Sequence, residues 1–360
     1  MENLVNNHFS EVYAGKRVLV TGHTGFKGSW LCEWLLMLNA QVKGFALEPD
    51  TVPNHFDILK LENRMESVFS DIRNSEVVKK EINTFQPDFI FHLAAQPLVR
   101  RSFRIPAETF DVNVTGTANL LEAVKELGKP CVVMLITTDK VYENREQDIL
   151  YKESDKLGGF DPYSSSKACM ELVIQSFRRS FFNLNDYPSH HKLLAAARAG
   201  NVIGGGDFSE DRLMPDIVRA LFNNDPLLLR HPKSIRPWQH VLEPLSGYLL
   251  WGAKLYGGGR EYSGAINFGP LQDDHLTVEQ VVNKAIQIFG KGSWQKDESG
   301  GQVHEAGILK LDINKAKELL SWTPRWDAQT AIHETLQWYM QPIQNKADYT
   351  RLQIEKYMCA

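Results

Sequence analysis

Three observations predict an α/β protein built on a doubly wound parallel sheet with a smaller mixed α/β domain after it. Short apolar runs alternate with helix-length amphipathic segments, a glycine-rich turn directly follows the first run, and the chain changes character after Gly200. The first run, Arg17-Val-Leu-Val-Thr21, ends at Gly22. Residues 26–38 then place Phe26, Trp30, Leu31, Trp34, Leu35 and Leu38 at helical spacing, and Gln41-Val-Lys-Gly-Phe-Ala-Leu47 reads as a second strand. Strand, helix and strand within about 30 residues make the unit of a parallel sheet.

The alternation continues. Residues 75–85 read as helix, and Pro87 introduces the strand Asp88-Phe-Ile-Phe-His-Leu93. Residues 107–127 read as one helix ending near Gly128, followed by the fully apolar strand Cys131-Val-Val-Met-Leu-Ile136. A long helix over 161–182 and the strand Lys192-Leu-Leu-Ala-Ala-Ala-Arg198 complete the pattern. Fully apolar strands imply a sheet covered on both faces. Past Gly200 come Gly204-Gly-Gly206 and a stretch over 223–237 rich in proline and basic residues; Ala265-Ile-Asn-Phe268 is a late strand expected to return to the sheet. Residues 271–340 read as a small mixed region ending in a helix over 327–340, with a polar loop at 292–301 and a peripheral helix after 341. The expected division is residues 1–200 plus a returning segment at about 240–268, a second domain from 201–239 and 269–345, and a tail at 346–360.

Composition excludes several classes. The 360 residues suit about two domains, and 43% hydrophobic with 23% charged residues excludes disordered and low-complexity chains. A net charge of −4 leaves no basic excess for a nucleic-acid backbone. No apolar run reaches the roughly 18 residues of a membrane span, and residues 1–14 lack the apolar core of a signal peptide, so a soluble cytoplasmic protein is expected. Cys32, Cys131, Cys169 and Cys359 lie far apart without CxxC spacing and read as buried thiols in a reducing compartment. Without HExxH or clustered Cys and His, no metal site is expected.

The turn Thr21-Gly-His-Thr-Gly-Phe-Lys-Gly28 has the spacing GxxGxxG. Glycines there allow a tight turn and close approach of backbone N–H groups to a pyrophosphate, and the next helix adds its positive end. In a strand–turn–helix setting this predicts a Rossmann-type dinucleotide site, with Gly22, Thr24, Gly25, Phe26, Lys27 and Gly28 as candidate ligands. Leu93, Ala94, Ala95 and Thr137, at later strand ends, join them. Glu48 and Asp50 are alternative ribose ligands, and Asp71-Ile72 is placed to bracket the adenine. No Arg directly follows the second strand, which favours NAD over NADP. Tyr163 and Lys167 stand four apart on the long helix and so share a face, where an ammonium would favour tyrosinate; the threonine-rich strand end Ile136-Thr-Thr138 precedes them.

Together these residues resemble the extended short-chain dehydrogenase/reductase family, and within it the nucleotide-sugar 4,6-dehydratases. The matching pieces are the glycine turn, Phe91-His-Leu-Ala-Ala-Gln96, Asn113-Val-Thr-Gly-Thr117, Thr137-Thr-Asp-Lys-Val-Tyr142, Tyr163-Ser-Ser-Ser-Lys167, Arg198-Ala-Gly-Asn201 and Arg236-Pro-Trp-Gln-His-Val241. Leu311-Asp-Ile-Asn-Lys-Ala-Lys and Trp322-Thr-Pro-Arg resemble the family's closing segment, so the likeness runs from about 15 to 340. The dTDP-glucose and GDP-mannose enzymes typically carry Asp-Glu after the threonine, whereas this chain has Asp139-Lys140. That pair is similar to the CDP-glucose subfamily, as are Thr51-Val-Pro-Asn54 and His304-Glu-Ala-Gly307.

The resemblance implies oxidation of a nucleotide sugar such as CDP-glucose at C4 by NAD, loss of water across C5–C6 and hydride return to C6. It implies Tyr163 as base at the 4-hydroxyl, Thr138 on the same oxygen and Lys167 as tuning and ribose-holding residue. Asp139 would protonate the leaving hydroxyl, and Lys140 would act at C5 either as base or as enolate stabiliser. Asn201, Arg236 and Arg212 (or Arg230) would face the substrate phosphates, with Gln96 and Arg100 nearby. It further implies a homodimer or homotetramer paired through the helices at 107–127 and 161–182, and a place in deoxysugar synthesis for surface polysaccharide (O-antigen). The rivals are a dTDP- or GDP-sugar dehydratase, an epimerase on the same fold, and a non-catalytic NAD-sensing regulator.

Overall fold

The computed structural model describes residues 11–297 and 308–360. In chain order its main elements are β1 (Arg17–Thr21), α1 (Phe26–Met37), β2 (Gln41–Ala46), β3 (Glu66–Phe69), α2 (Ser75–Phe85), β4 (Phe89–His92), α3 (Gly116–Glu126), β5 (Cys131–Ile136) and α4 (Pro162–Ser180). After these come β6 (Lys192–Ala199), α5 (Leu213–Asn223), α6 (Leu242–Tyr256), β7 (Gly264–Phe268), α7 (Val278–Phe289), α8 (Ala328–Met340) and α9 (Lys346–Cys359). Two of the helix starts are fixed by side-chain caps: Asn74 accepts from Val77 N–H before α2, and Asp161 accepts from Ser164 N–H before α4.

One seven-stranded sheet runs in the order β7-β6-β5-β4-β1-β2-β3, with every neighbouring pair parallel. All six residues of β5 and all eight of β6 are buried, as helix cover on both faces requires. Alternate residues serve opposite faces. Val18 and Val20 join the core with Trp30, Leu35 and Trp251, while Leu19 joins Val78, Leu120 and Ile174 on the other side. Burying each such side chain stabilises the fold by about 1.5–3 kcal/mol. The strand order reverses between β1 and β4, which opens a crevice at their carboxyl ends. The late strand β7 does return, pairing Ile266 with Ala197.

Several elements differ from the sequence-based expectation. The single helix over 107–127 is a short helix Pro106–Phe110, a π turn Asp111–Thr115, and then α3. The π turn carries Asn113, whose side chain exchanges hydrogen bonds with Gln96 N–H (2.8 Å) and Ser166 Oγ (2.8 Å), contacts that regular helix spacing does not encode. Part of the loop expected at 292–301 is the strand Trp294–Lys296, paired with Leu227–Leu229; positions 298–301 lie outside the described residues, as does His304-Glu-Ala-Gly307. The closing helix α9 is not peripheral. Its Arg351 meets the fully buried Glu33 of α1 at 2.8 Å, Arg64 grips the same carboxylate, and Tyr357 packs edge-on against Trp34. Cys32 and Cys131 are buried as expected, but Cys169 is half-buried and Cys359, at the end of α9, is exposed. Among the described residues no helix is long and apolar enough to cross a membrane.

Candidate active site

A cavity of about 660 Å³ lies at the carboxyl ends of β1, β4, β5 and β6. It is floored by the glycine turn and the 136–140 strand end, and walled by Tyr163, Lys167, Asn201, Arg212 and Arg236. Every candidate site residue named from the sequence lines this one cavity.

The glycine turn is built for close approach. Gly22 has φ +74°, and a Cβ there would stand 2.7 Å from Ala94 N; a Cβ on Gly28 would stand 2.0 Å from the Gly22 carbonyl oxygen. Gly25 caps α1 without a side-chain hydrogen bond, and the first turn of α1 holds no acid, so its positive end stays open to the cavity. These residues fit a bound pyrophosphate. Thr24 Oγ1 donates to Leu47 O (2.9 Å), fixing the rim where Glu48 and Asp50 stand. Burial, then the Arg212 cation, pushes Lys27 down to about 8. Asp71 is gripped by a guanidinium fork from Arg73, which holds its carboxyl below the usual range. Ile72 is buried beneath Gly116, where a Cβ would meet its side chain at 2.6 Å.

The strand end after β5 carries the reactive groups. Thr138 donates to Asp139 Oδ1 at 2.9 Å, while Asp139 Oδ2 is buried without a hydrogen-bond partner in the structure. Lys140 Nζ lies 3.8 Å from Asp139 Oδ1 and 3.5 Å from Asn201 Oδ1. Lys167 Nζ donates to Ile136 O at 3.3 Å. Burial, then the Lys27 cation, lowers Lys167 to about 7, opposed by Glu171. Burial pushes Tyr163 up to about 12, while Thr138 and Arg212 pull it back. Thr138 and Arg212 favour the tyrosinate and Asp139 opposes it, while Lys167 is turned onto the strand end.

On the substrate side, Arg212 is held by Asp207 at 3.1 Å, and the Tyr339 hydroxyl donates to the Asp207 carbonyl. Arg236 is buried, with Nη1 donating to Ile235 O at 3.0 Å. Arg100 stands at the rim, paired with Asp211 (2.8 Å), which also lies 3.5 Å from Arg230. Gln96 lines the cavity with its amide engaged in its own loop. Its Oε1 accepts from Leu98 N–H (2.7 Å) and its Nε2 donates to Thr109 (3.0 Å) and Leu98 O (3.2 Å), so its amide shapes the 96–98 loop.

The histidines read from the sequence as non-catalytic, His23, His92 and His240, are fully buried; His92 bridges Thr21 (2.7 Å) and Thr117 (3.0 Å). Among the described residues no group of three or more His, Cys, Asp or Glu side chains gathers as a metal site. Sequence reasoning overlooked Asp207 and Tyr339, which have no motif, and Glu171, whose spacing from Tyr163 and Lys167 on one helix was an available signal.

The family description "GDP-mannose 4,6 dehydratase" matches residues 19–335. The chain belongs to that family. The CDP-glucose 4,6-dehydratase of Salmonella typhimurium is 50% identical over 328 residues, which cover 91% of this chain and 91% of that one. The crystal structure of DesIV, a dTDP-glucose 4,6-dehydratase from Streptomyces venezuelae with NAD and TYD bound, superimposes with a TM-score of 0.75 at 25% identity over 90% of this chain and 96% of the other. An epimerase, Mth375 of Methanothermobacter thermautotrophicus, shares the fold at TM-score 0.78 and 22% identity over 97% and 98% of the two chains. The dehydratase DesIV and the epimerase Mth375 thus share the fold of this chain.

Proposed function

We propose that the chain is an NAD-dependent CDP-glucose 4,6-dehydratase yielding the 4-keto-6-deoxy sugar. The observation that carries this reading is the Thr138–Asp139–Lys140 strand end lying in one cavity with Tyr163, Lys167 and a pyrophosphate-ready glycine turn. The 50% identical relative named for CDP-glucose supports the base specificity, as does Lys140 after Asp139. Asp139 speaks against an epimerase, which needs no acid for a leaving hydroxyl.

Gly22, Gly25 and Gly28 would hold the NAD pyrophosphate, with Glu48 or Asp50 and Asp71 along its adenosine half and Lys167 at the nicotinamide ribose. NAD, when bound, supplies a reversible hydride acceptor and a positive ring charge. Tyr163, as the tyrosinate that the Thr138 hydrogen bond, the Arg212 cation and the positive nicotinamide ring would favour, takes the proton of the sugar 4-hydroxyl, and Thr138 hydrogen-bonds the same oxygen. The resulting 4-ketone acidifies the C5 hydrogen. Asp139 then gives a proton to the departing 6-hydroxyl while Lys140 takes the C5 proton. Once the 3.8 Å Lys140–Asp139 pair closes to hydrogen-bond length, transfer of one proton within it converts ammonium and carboxylate into the amine and acid this step requires. The elimination leaves ammonium and carboxylate again, so the pair resets itself without net proton exchange. Asn201, Arg212 and Arg236 bind the diphosphate, for which a guanidinium fork is well shaped.

The reading extends to a cytoplasmic homo-oligomer, dimer or tetramer, paired through α3 and α4; the exposed Leu172 and Phe181 beside α4's outer face support it. Its product would enter deoxysugar synthesis for surface polysaccharide. The test is isotopic. CDP-glucose deuterated at C4 should give product deuterated at C6, and a product that keeps its 6-hydroxyl, or loses the label to solvent, refutes the reading. A parallel screen of CDP-, dTDP-, UDP- and GDP-glucose decides the base.

A further inference from the structure

Beneath the cavity floor lies a charged pair that the reaction above does not use. Glu171 on α4 and Arg198 on β6 are each about 1% exposed. Arg198 forks onto the carboxylate, Nε to Oε1 at 2.8 Å and Nη2 to Oε2 at 3.0 Å, and its Nη1 donates to Tyr142 OH at 2.9 Å. The same Glu171 Oε1 accepts from Thr137 Oγ1 at 2.7 Å. Thr137 is pinned on its other side as well, with N–H to Ala197 O at 2.8 Å. Glu171 is four residues beyond Lys167 and eight beyond Tyr163, so all three share one helix face. Lys167 reaches from that face to Ile136 O, one residue before Thr137. One carboxylate thus joins the reactive helix, the reactive strand end and the strand leading to Asn201.

Stability does not explain such a pair. Burying two charges costs several kcal/mol each, and well-packed apolar replacements are often as stable or more so. What an ion pair with a shared hydroxyl adds is a defined geometry. We propose that Glu171 is a positioning residue: gripped by Arg198, it holds Thr137 and so keeps the turn bearing Thr138, Asp139 and Lys140 in register with Lys167 and Tyr163. This rests on the dehydratase reading for what the aligned groups do. The titratable groups that interact with Lys167 are Glu171 on its own helix, Lys27 from the first turn of α1 and His92 from β4. Glu171 is the anion among them.

Thr137→Val deletes the hydroxyl at nearly constant volume. It should lower kcat about tenfold while KM for the nucleotide sugar moves less than about twofold, because no phosphate or sugar ligand is touched. Thr137→Ser should restore the rate. Replacing both charges (Glu171→Met with Arg198→Met) should leave a folded protein as slow as Thr137→Val. Independently of turnover, the ε-carbon NMR titration of Lys167, assigned with Lys167→Gln, should move down by about one pH unit in Glu171→Gln. Full activity in Thr137→Val, or a Lys167 titration unmoved in Glu171→Gln, overturns the proposal. If the unaltered protein turns over no nucleotide sugar, the functional reading fails. The lysine titration then stands alone, and its movement or immobility decides whether Glu171 acts on Lys167.

Discussion

Gly28→Ala is the sharpest test of the glycine turn. A Cβ on Gly28 would sit 2.0 Å from Gly22 O, 2.8 Å from Gly22 C and 2.9 Å from His23 Cα, all backbone atoms of the turn itself. Ordinary contact begins near 3.4 Å, so the turn must open by more than 1 Å. Overpacking of this kind costs about 1–3 kcal/mol, and a displacement of about 1 Å at a positioned site costs on the order of a hundredfold in function. A bound ligand at 100 times its Kd stabilises a protein by about 2.7 kcal/mol, and at its Kd by about 0.4 kcal/mol. If Kd rises about a hundredfold, NAD at a concentration that saturates the original protein should lose most of its effect on Tm. Gly128→Ala is the control. Its Cβ would meet nothing within 4 Å and it lies outside the cavity, so NAD should stabilise this variant as it does the original. Thermal unfolding with and without NAD reads both. Equal stabilisation of Gly28→Ala and the original would refute the account of the turn.

Further outcomes follow from the same geometry. Lys140→Met should still let reduced nicotinamide appear on mixing with CDP-glucose, followed in a stopped-flow absorbance trace, but should block elimination; normal turnover would remove Lys140 from the C5 step. Arg236→Ala, by deleting a charge-assisted phosphate contact worth about 1.5–3 kcal/mol, should raise KM roughly 10- to 150-fold with little change in Tm. Burial holds the imidazoles of His55, His92 and His240 down to about 3. The folded state therefore refuses protons that the unfolded state accepts below its ordinary value of about 6.5, so their stabilising effect is complete above that pH and is lost as pH falls towards 3. Between pH 7 and pH 5 each should withdraw up to about 2 kcal/mol, read as a falling urea midpoint; a flat profile over that range would contradict it.

The parts of the protein legible from sequence are those written in near neighbours. Strand period and helix spacing, as in Val18 to Val20 or Lys192 to Arg198, follow from local covalent geometry, so the parallel sheet could be read directly. The reactive residues were legible for a related reason: Gly22 to Gly28, Thr138 to Lys140 and Tyr163 to Lys167 are short motifs whose chemistry needs fixed spacing on one turn or one helix face. Helix α5 was missed although Met214, Ile217, Val218 and Leu221 carry a clear helical period; the surrounding prolines and charges hid it. Other features depended on pairings that no local pattern encodes. Arg351 meets Glu33 across 318 positions, Tyr339 reaches Asp207 across 132, and Glu171 gathers Thr137 and Arg198. Gln96 sits inside a readable motif, yet its amide is used within its own loop. Sequence by itself determined which chemical groups are present and the period on which they repeat. Tertiary structure decided which of them still have a free face towards the cavity, because a hydrogen bond made to a distant segment is a partner withdrawn from any ligand.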